Sequence, residues 1–212
     1  MSSAPTAKHA SWAYAEQHSG QDPVFEAARL RAAELGVNTI GEGTASALIA
    51  LAAARRAHSI VEVGTGVGAS SAALLRGAPE AVLTTIDVDP DHSAAARDLL
   101  RQEGISPSRT RLITGRAEQV LPRLKTQGYD MVFVDTDPAS AAEFAYEAVR
   151  LLRTGGMLLI NDALHGDRVP RPAVRDAGTH ALRTLERALL EDERVTTALF
   201  GTGTGLLLAV RT

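Results

Sequence analysis

Apolar and polar residues follow two rhythms along this chain. From Ser59 onward, short β-rich runs (SIVEVG, AVLTTID, TRLITG, YDMVFVD and MLLIND) are separated by stretches whose apolar positions recur at helical spacing. Those stretches predict an Ala/Leu helix after the first run, then helices over Pro90 to Glu103, up to about Thr126, and over Ala139 to Arg153. Runs that are apolar at nearly every position, alternating with helices, give a parallel sheet covered on both faces. Upstream, Asp22-Pro23 opens a helical pattern that runs to Gly36, proline being tolerated in a first turn. A second helix runs from about Gly43 to Ala57. The rhythm breaks near the end, where a long helix from about Pro172 to Glu191 leads into RVTTALF, the turn-like GTGTG and LLLAVRT. Two apolar runs joined by a short Gly-rich link predict an antiparallel hairpin. The expected fold is α/β, a doubly wound sheet of about seven strands, mostly parallel with a C-terminal antiparallel hairpin, and helices on both faces.

Residues 1–20 are polar and Ser/Ala-rich and carry His9, Trp12, Tyr14 and His18 without a sustained period, which reads as an arm. Residues 21–212 then form a single domain, with N-terminal helices over 21–57 and a ligand-binding core over 58–212. At 212 residues there is no room for two full-sized domains. Only 4% of residues are aromatic and alanine is abundant, so the core is expected to pack helices closely on the sheet through small side chains. With no cysteine, neither disulfides nor a thiolate zinc site is available. A net charge of −3 argues against a non-specific nucleic-acid binder, which needs a basic face to release counterions. No apolar run approaches the roughly 20 residues that span a bilayer, and MSSAPTAKHASWAY lacks the apolar core of a signal peptide. These features lead us to expect a soluble, cytoplasmic protein that does not engage membranes.

In an open parallel sheet, ligands bind beyond the carboxyl ends of the strands where the strand order reverses, so the residues ending each run carry the chemistry. The first run ends Glu62-Val63-Gly64-Thr65-Gly66-Val67-Gly68. Glycines there allow a tight turn and close approach of a ligand to the backbone. The second run ends at Asp87, where a carboxylate can take both hydroxyls of a ribose. Gly64, Gly66 and Ala69 also satisfy the dinucleotide pattern, which leaves a nicotinamide dehydrogenase open. Glu62 tips the balance: its negative charge opposes a pyrophosphate and suits a cationic sulfonium or ammonium group.

Through EVGTGVGASS, TTIDVDP, GRAEQVLPRL, YDMVFVD and GGMLLIND, residues 40 to 212 resemble class I S-adenosylmethionine-dependent methyltransferases. Within that class they resemble the small catechol/caffeoyl-CoA type O-methyltransferases (family 3), in their actinobacterial branch. The resemblance implies a Rossmann-like fold and an O-methyltransferase acting on a hydroxyl of a small, catechol-like acceptor. It also implies a cofactor site. Glu62, Gly64, Thr65, Gly66 and Ser70 lie at the methionine end, Asp87 and Val88 at the ribose, Arg116, Ala117 and Glu118 by the adenine, and Asp135 beside them. A homodimer is implied too.

The fourth run ends Val134-Asp135-Thr136-Asp137-Pro138 and the fifth Ile160-Asn161-Asp162. Asp135, Asn161 and Asp162 can present three oxygen ligands, a set that suits Mg²⁺ or another hard divalent cation. In the family these positions hold the cation that grips a diol and acidifies its hydroxyl. Two departures stand out. The family reads Asp-Asn at the fifth strand where this chain reads Asn161-Asp162, and its base lysine is replaced by Pro138. Asp137 and His165 are the nearest replacement bases, His165 for its pKa near neutrality. The plainer readings are that Asp137 caps the following helix and that His165 is solvated. Arg168, Arg171 and Arg175 form either a lid or anion anchor, or a solvated loop. Three further functions stand beside the first: a tRNA hydroxyuridine-type methyltransferase, a non-catalytic S-adenosylmethionine-binding protein, and an NAD-dependent dehydrogenase.

Overall fold

In a computed structural model of the chain, which describes residues 7–18, 20 and 22–212, seven strands form one sheet. β1 (Ser59–Val63), β2 (Val82–Asp87), β3 (Thr110–Thr114), β4 (Tyr129–Val134) and β5 (Leu152–Ile160) are parallel. β6 (Val195–Phe200) and β7 (Leu206–Arg211) complete the order β3-β2-β1-β4-β5-β7-β6. β7 runs antiparallel to both its neighbours, with Leu207 opposite Ile160 and Leu206 opposite Phe200. The predicted hairpin is therefore present, and β7 is its inner strand. Its turn, residues 201–205, consequently lies at the carboxyl ends of the parallel strands. A dinucleotide-binding sheet has the order 3-2-1-4-5-6 with no inserted antiparallel strand. The strand order here departs from it at β7.

The first helix among the described residues is α1 (Ala7–Glu16); α2 (Pro23–Leu35), α3 (Glu42–Arg55), α4 (Ala69–Gly77) and α5 (Pro90–Gln102) bury their apolar residues in a core on one face of the sheet. α6 (Ala117–Val120), α7 (Pro138–Leu151) and α8 (Ala177–Glu191) share a second core on the other face. The alternation of β1 shows why: Ile60 points to the first core, Val61 and Val63 to the second. Close packing through small side chains is most evident at α4, whose residues are almost all buried. A Cβ on Gly77 would collide with the Ile49 carbonyl of α3, so the two helices approach to backbone contact.

Several boundaries differ from the sequence reading. The stretch read as an arm is helical over Ala7–Glu16. The helix expected up to Thr126 stops after one turn at Val120 and becomes a 3-10 turn over Leu121–Arg123. Pro122 has no amide to continue the ladder, and the Leu121 carbonyl accepts both the Leu124 amide at 3.0 Å and Arg150 Nη2 at 2.9 Å. The helix expected from Pro172 begins five residues later, at Ala177, where the Asp176 carboxylate accepts the Thr179 amide at 2.9 Å. Before it, Arg183 donates to the carbonyls of Arg168, Val169, Arg171 and Val174, which holds the 168–174 loop against α8.

Candidate functional site

The carboxyl ends of β1, β2, β4 and β5 open onto one cleft of about 920 Å³. The strand order reverses between β1 and β4, which is where an open sheet builds its ligand site. Gly64 leaves β1 with φ 91°. A Cβ there would strike the Asp135 carbonyl, so only glycine lets β1 and β4 end side by side. Gly66, at φ 49°, has open space where a side chain would stand, which leaves its backbone facing the cleft. Its amide donates to Asp87 Oδ2 at 2.9 Å. Asp87 Oδ1 accepts the Asp89 amide at 3.0 Å and contacts His92 Nδ1 at 3.1 Å. The carboxylate is thus aimed by two loops and one imidazole. Thr65, Ser70, Val88, Arg116, Ala117 and Glu118 also line the cleft, and Arg116 Nε donates to Glu118 Oε1 at 2.7 Å.

Glu62 takes another position. It points from β1 into the first core and is fully buried beneath the first turn of α4, where the Ser71 hydroxyl donates to its Oε2. It is enclosed rather than open to the cleft, so the carboxylate does not face the opening as the sequence suggested. Alternation along β1 explains this: the strand places residue 62 on the face that α4 covers. Burial pushes the Glu62 carboxyl up to about 7, against hydrogen bonds from Ser70, Ser71 and Thr85 that favour the charged form. Its Oε1 has no hydrogen-bond partner, a rare condition for a buried carboxylate oxygen. Ser70, one of the groups that lower the Glu62 pKa, does line the cleft.

At the far side, Asp135, Asn161 and Asp162 line the same cleft. The Asn161 amide donates from Nδ2 to Asp135 Oδ1 at 3.0 Å. Burial raises the Asp135 pKa, and the nearby Asp162 charge raises it further. Asp162 sits at φ 52°, and its Oδ1 accepts the Gly166 amide at 3.2 Å. Among the described residues, no three His, Cys, Asp or Glu side chains gather as a metal site. Two carboxylates and an amide oxygen fit a hard cation in donor chemistry. The amide must first turn its oxygen inward, because its nitrogen now faces Asp135.

A family model described as O-methyltransferase matches residues 24–212. This chain belongs to the O-methyltransferase family. A protein of Mycobacterium ulcerans (strain Agy99) that carries the provisional name O-methyltransferase is 45% identical over 200 residues, covering 94% of this chain and 89% of that one. A crystal structure of a Corynebacterium glutamicum protein superposes with a TM-score of 0.88 at 29% identity, covering 98% of both chains. The O-methyltransferase TomG of Streptomyces achromogenes, involved in tomaymycin synthesis and solved in complex with SAM, superposes at 0.82 with 29% identity over 91% of each chain.

In this O-methyltransferase the two candidate bases are placed differently from the sequence expectation. His165 does not line the cleft. At φ 49° its ring turns toward α8, where Nδ1 lies 3.0 Å from the Thr179 hydroxyl. Asp137 does line the cleft, but its Oδ1 caps α7 by accepting the Ala139 and Ser140 amides, each at 3.1 Å. Hydrogen bonding from Ser140 holds its carboxyl below the usual range, the wrong direction for a base working near neutrality. The capping reading of Asp137 thus describes its contacts, whereas His165 is neither a cleft residue nor solvated but half-buried against Thr179. The sequence reading missed His92, Phe144, Thr204 and the 37–40 loop, all of which line the cleft. His92 was findable, since it lies five residues after Asp87 on the first turns of a capped helix. The 37–40 loop and Thr204 carry no local signal and arrive by tertiary folding alone.

Proposed function

We propose that this chain transfers a methyl group from S-adenosylmethionine to a hydroxyl of a small, catechol-like acceptor. The observation that carries the reading is Asp87, a carboxylate aimed into the cleft by Gly66, Asp89 and His92. Fixed this way, it can accept from a ribose diol. That the relative TomG was solved in complex with SAM supports the choice of cofactor. Gly64, Thr65, Gly66 and Ser70 would hold the methionine end and Glu62 would orient Ser70. Val88 would flank the ribose, and Arg116, Ala117 and Glu118 would face the adenine. When bound, the cofactor supplies a methyl carbon on cationic sulfur, open to in-line attack by the acceptor oxygen as the carbon–sulfur bond breaks. The protein's share is to align that oxygen and keep water out.

Asp135, Asn161 and Asp162 would hold Mg²⁺ or a related cation, which lowers the pKa of a bound hydroxyl. Pro138 offers no atom to accept the hydroxyl proton, and of the two candidate bases only Asp137 lines the cleft. Calorimetry with S-adenosylhomocysteine tests the core of the reading. Wild type is expected to bind at micromolar levels and Asp87→Ala to lose roughly 100-fold, on the order of 2.7 kcal/mol. Equal affinity in both proteins overturns the site. Mg²⁺ is expected to raise the thermal midpoint of wild type and leave Asp162→Ala unchanged.

A second reading, a protein that binds S-adenosylmethionine without catalysis, is favoured by Pro138 and by the outward-turned His165. Methyl transfer to catechol in the presence of Mg²⁺ rejects it. The proposed enzyme is cytoplasmic and homodimeric. Among the described residues no helix is long and apolar enough to cross a membrane. The exposed Trp12 and Phe200, both on the α1 side of β6, offer apolar surface for a second copy, which sedimentation velocity would detect.

A further inference from the structure

The helix that precedes the predicted domain reaches across the fold to the β6–β7 turn. Trp12 Nε1 donates to the Gly201 carbonyl at 2.7 Å. Glu16 Oε1 accepts the Thr202 hydroxyl at 2.9 Å and the Gly203 amide at 2.7 Å. The same carboxylate rests over the start of α3. A Cβ on Gly43 would lie within 2.5 Å of both its oxygens and of Thr202 Oγ1, so a side chain there would displace the carboxylate and the hydroxyl from their present positions. A helix N-terminus is also a favourable place for a negative charge.

Both segments that Glu16 joins continue into the cleft wall. Val37 to Ile40 precede α3, and Thr204 follows Gly203. The Thr204 carbonyl accepts the Leu164 amide at 2.9 Å, and the Gly205 carbonyl accepts that of Ala163 at 3.0 Å. These bonds tie the turn to the segment that begins with Asn161 and Asp162. From the α1 carboxylate to the β5 end of the cleft there is thus an unbroken chain of hydrogen bonds and covalent neighbours. Asp87 lies on the other side of β1 and has no part in it.

We infer that Glu16 is a positioning residue: it clasps the β6–β7 turn to α3 and so sets the wall of the cleft at the β5 end, where the acceptor binds. The acceptor's place rests on the methyltransferase reading; the clasp does not. Neither substrate nor cofactor touches Glu16 itself.

Hydrogen exchange on the full-length protein, with and without S-adenosylhomocysteine, tests it in wild type, Glu16→Ala and Glu16→Gln. In Glu16→Ala the amides of Gly203, Ala163 and Leu164 are expected to exchange roughly tenfold faster, with Gly66 and Gly115 unchanged. Affinity for S-adenosylhomocysteine should stay within about twofold of wild type, against the roughly 100-fold loss expected for Asp87→Ala. Trp12 is the only tryptophan in the chain, so its emission should shift as α1 loosens. Glu16→Gln keeps an oxygen acceptor and should behave as wild type. Unchanged exchange at Gly203 and Leu164 in Glu16→Ala overturns the proposal. So does equal acceleration at Gly66 and Gly115, which would mark a loss of overall stability. Failure of wild type to bind S-adenosylhomocysteine would instead overturn the methyltransferase reading and leave the exchange result standing.

Discussion

Glu62 and Asp87 end neighbouring strands, yet their carboxylates have opposite circumstances. Asp87 opens to the cleft with both oxygens bonded, whereas Glu62 is enclosed with one oxygen unpartnered. The ordinary glutamate value is 4.5 and burial takes Glu62 to about 7. Between those values the folded protein holds a proton that the unfolded chain has released, so stability falls as pH rises. The loss through that window is on the order of 3 kcal/mol. Glu62→Gln has no such proton, and urea unfolding midpoints from pH 4.5 to 7.5 should be flatter in the variant than in wild type. The sequence made Glu62 conspicuous through its place before the glycines, and period-two alternation held the clue to its direction. What alternation does not say is which face carries the ligand, because both faces of this sheet are covered.

At the scale of elements, strands and caps were the legible part. Asp22-Pro23 and Asp89-Pro90 start helices as their chemistry requires, with each aspartate accepting an amide two residues on. Pro172 misled because a proline suits a first turn, but Asp176 supplies the actual cap and the intervening loop depends on a residue downstream. That residue, Arg183, bonds four carbonyls and is invisible to any local pattern. Arg183→Ala is expected to cost about 1–3 kcal/mol from the unmet carbonyls. Limited proteolysis should find new cleavage within residues 168–174, with the exchange of β1 and β4 amides unaffected. α1 escaped the sequence reading for a related reason: its anchors, Trp12 and Glu16, find their partners at 201–203, far along the chain.

Across the whole molecule, the sheet has two poles with different electrostatic tasks. At the amino end of β4, Asp130 is buried and accepts the His58 and Ser59 amides while pairing with Arg55 at 2.8 Å and Arg153 at 3.3 Å. Two guanidinium groups and two amides match this acid's charge and lone pairs. Asp130→Ala strands two arginines and two amides and is expected to lower stability by about 3–5 kcal/mol. Because the cleft is at the other pole, affinity for S-adenosylhomocysteine at 15 °C should be unchanged in whatever fraction remains folded. A variant that lost affinity in proportion to Asp87→Ala would show that the poles are coupled. Chain length and strand count bounded this architecture well; the pairing of distant arginines with one aspartate came only with the fold.

The inner place of β7 has a kinetic consequence. β6 is made before β7, but among the described residues its only neighbour in the sheet is β7. The parallel portion can therefore assemble while β6 waits, and the outer rim of β5 stays open until the hairpin docks on it. During that interval its unpaired amides and carbonyls are available to any other extended strand, so crowded refolding should favour misassociation at this rim first.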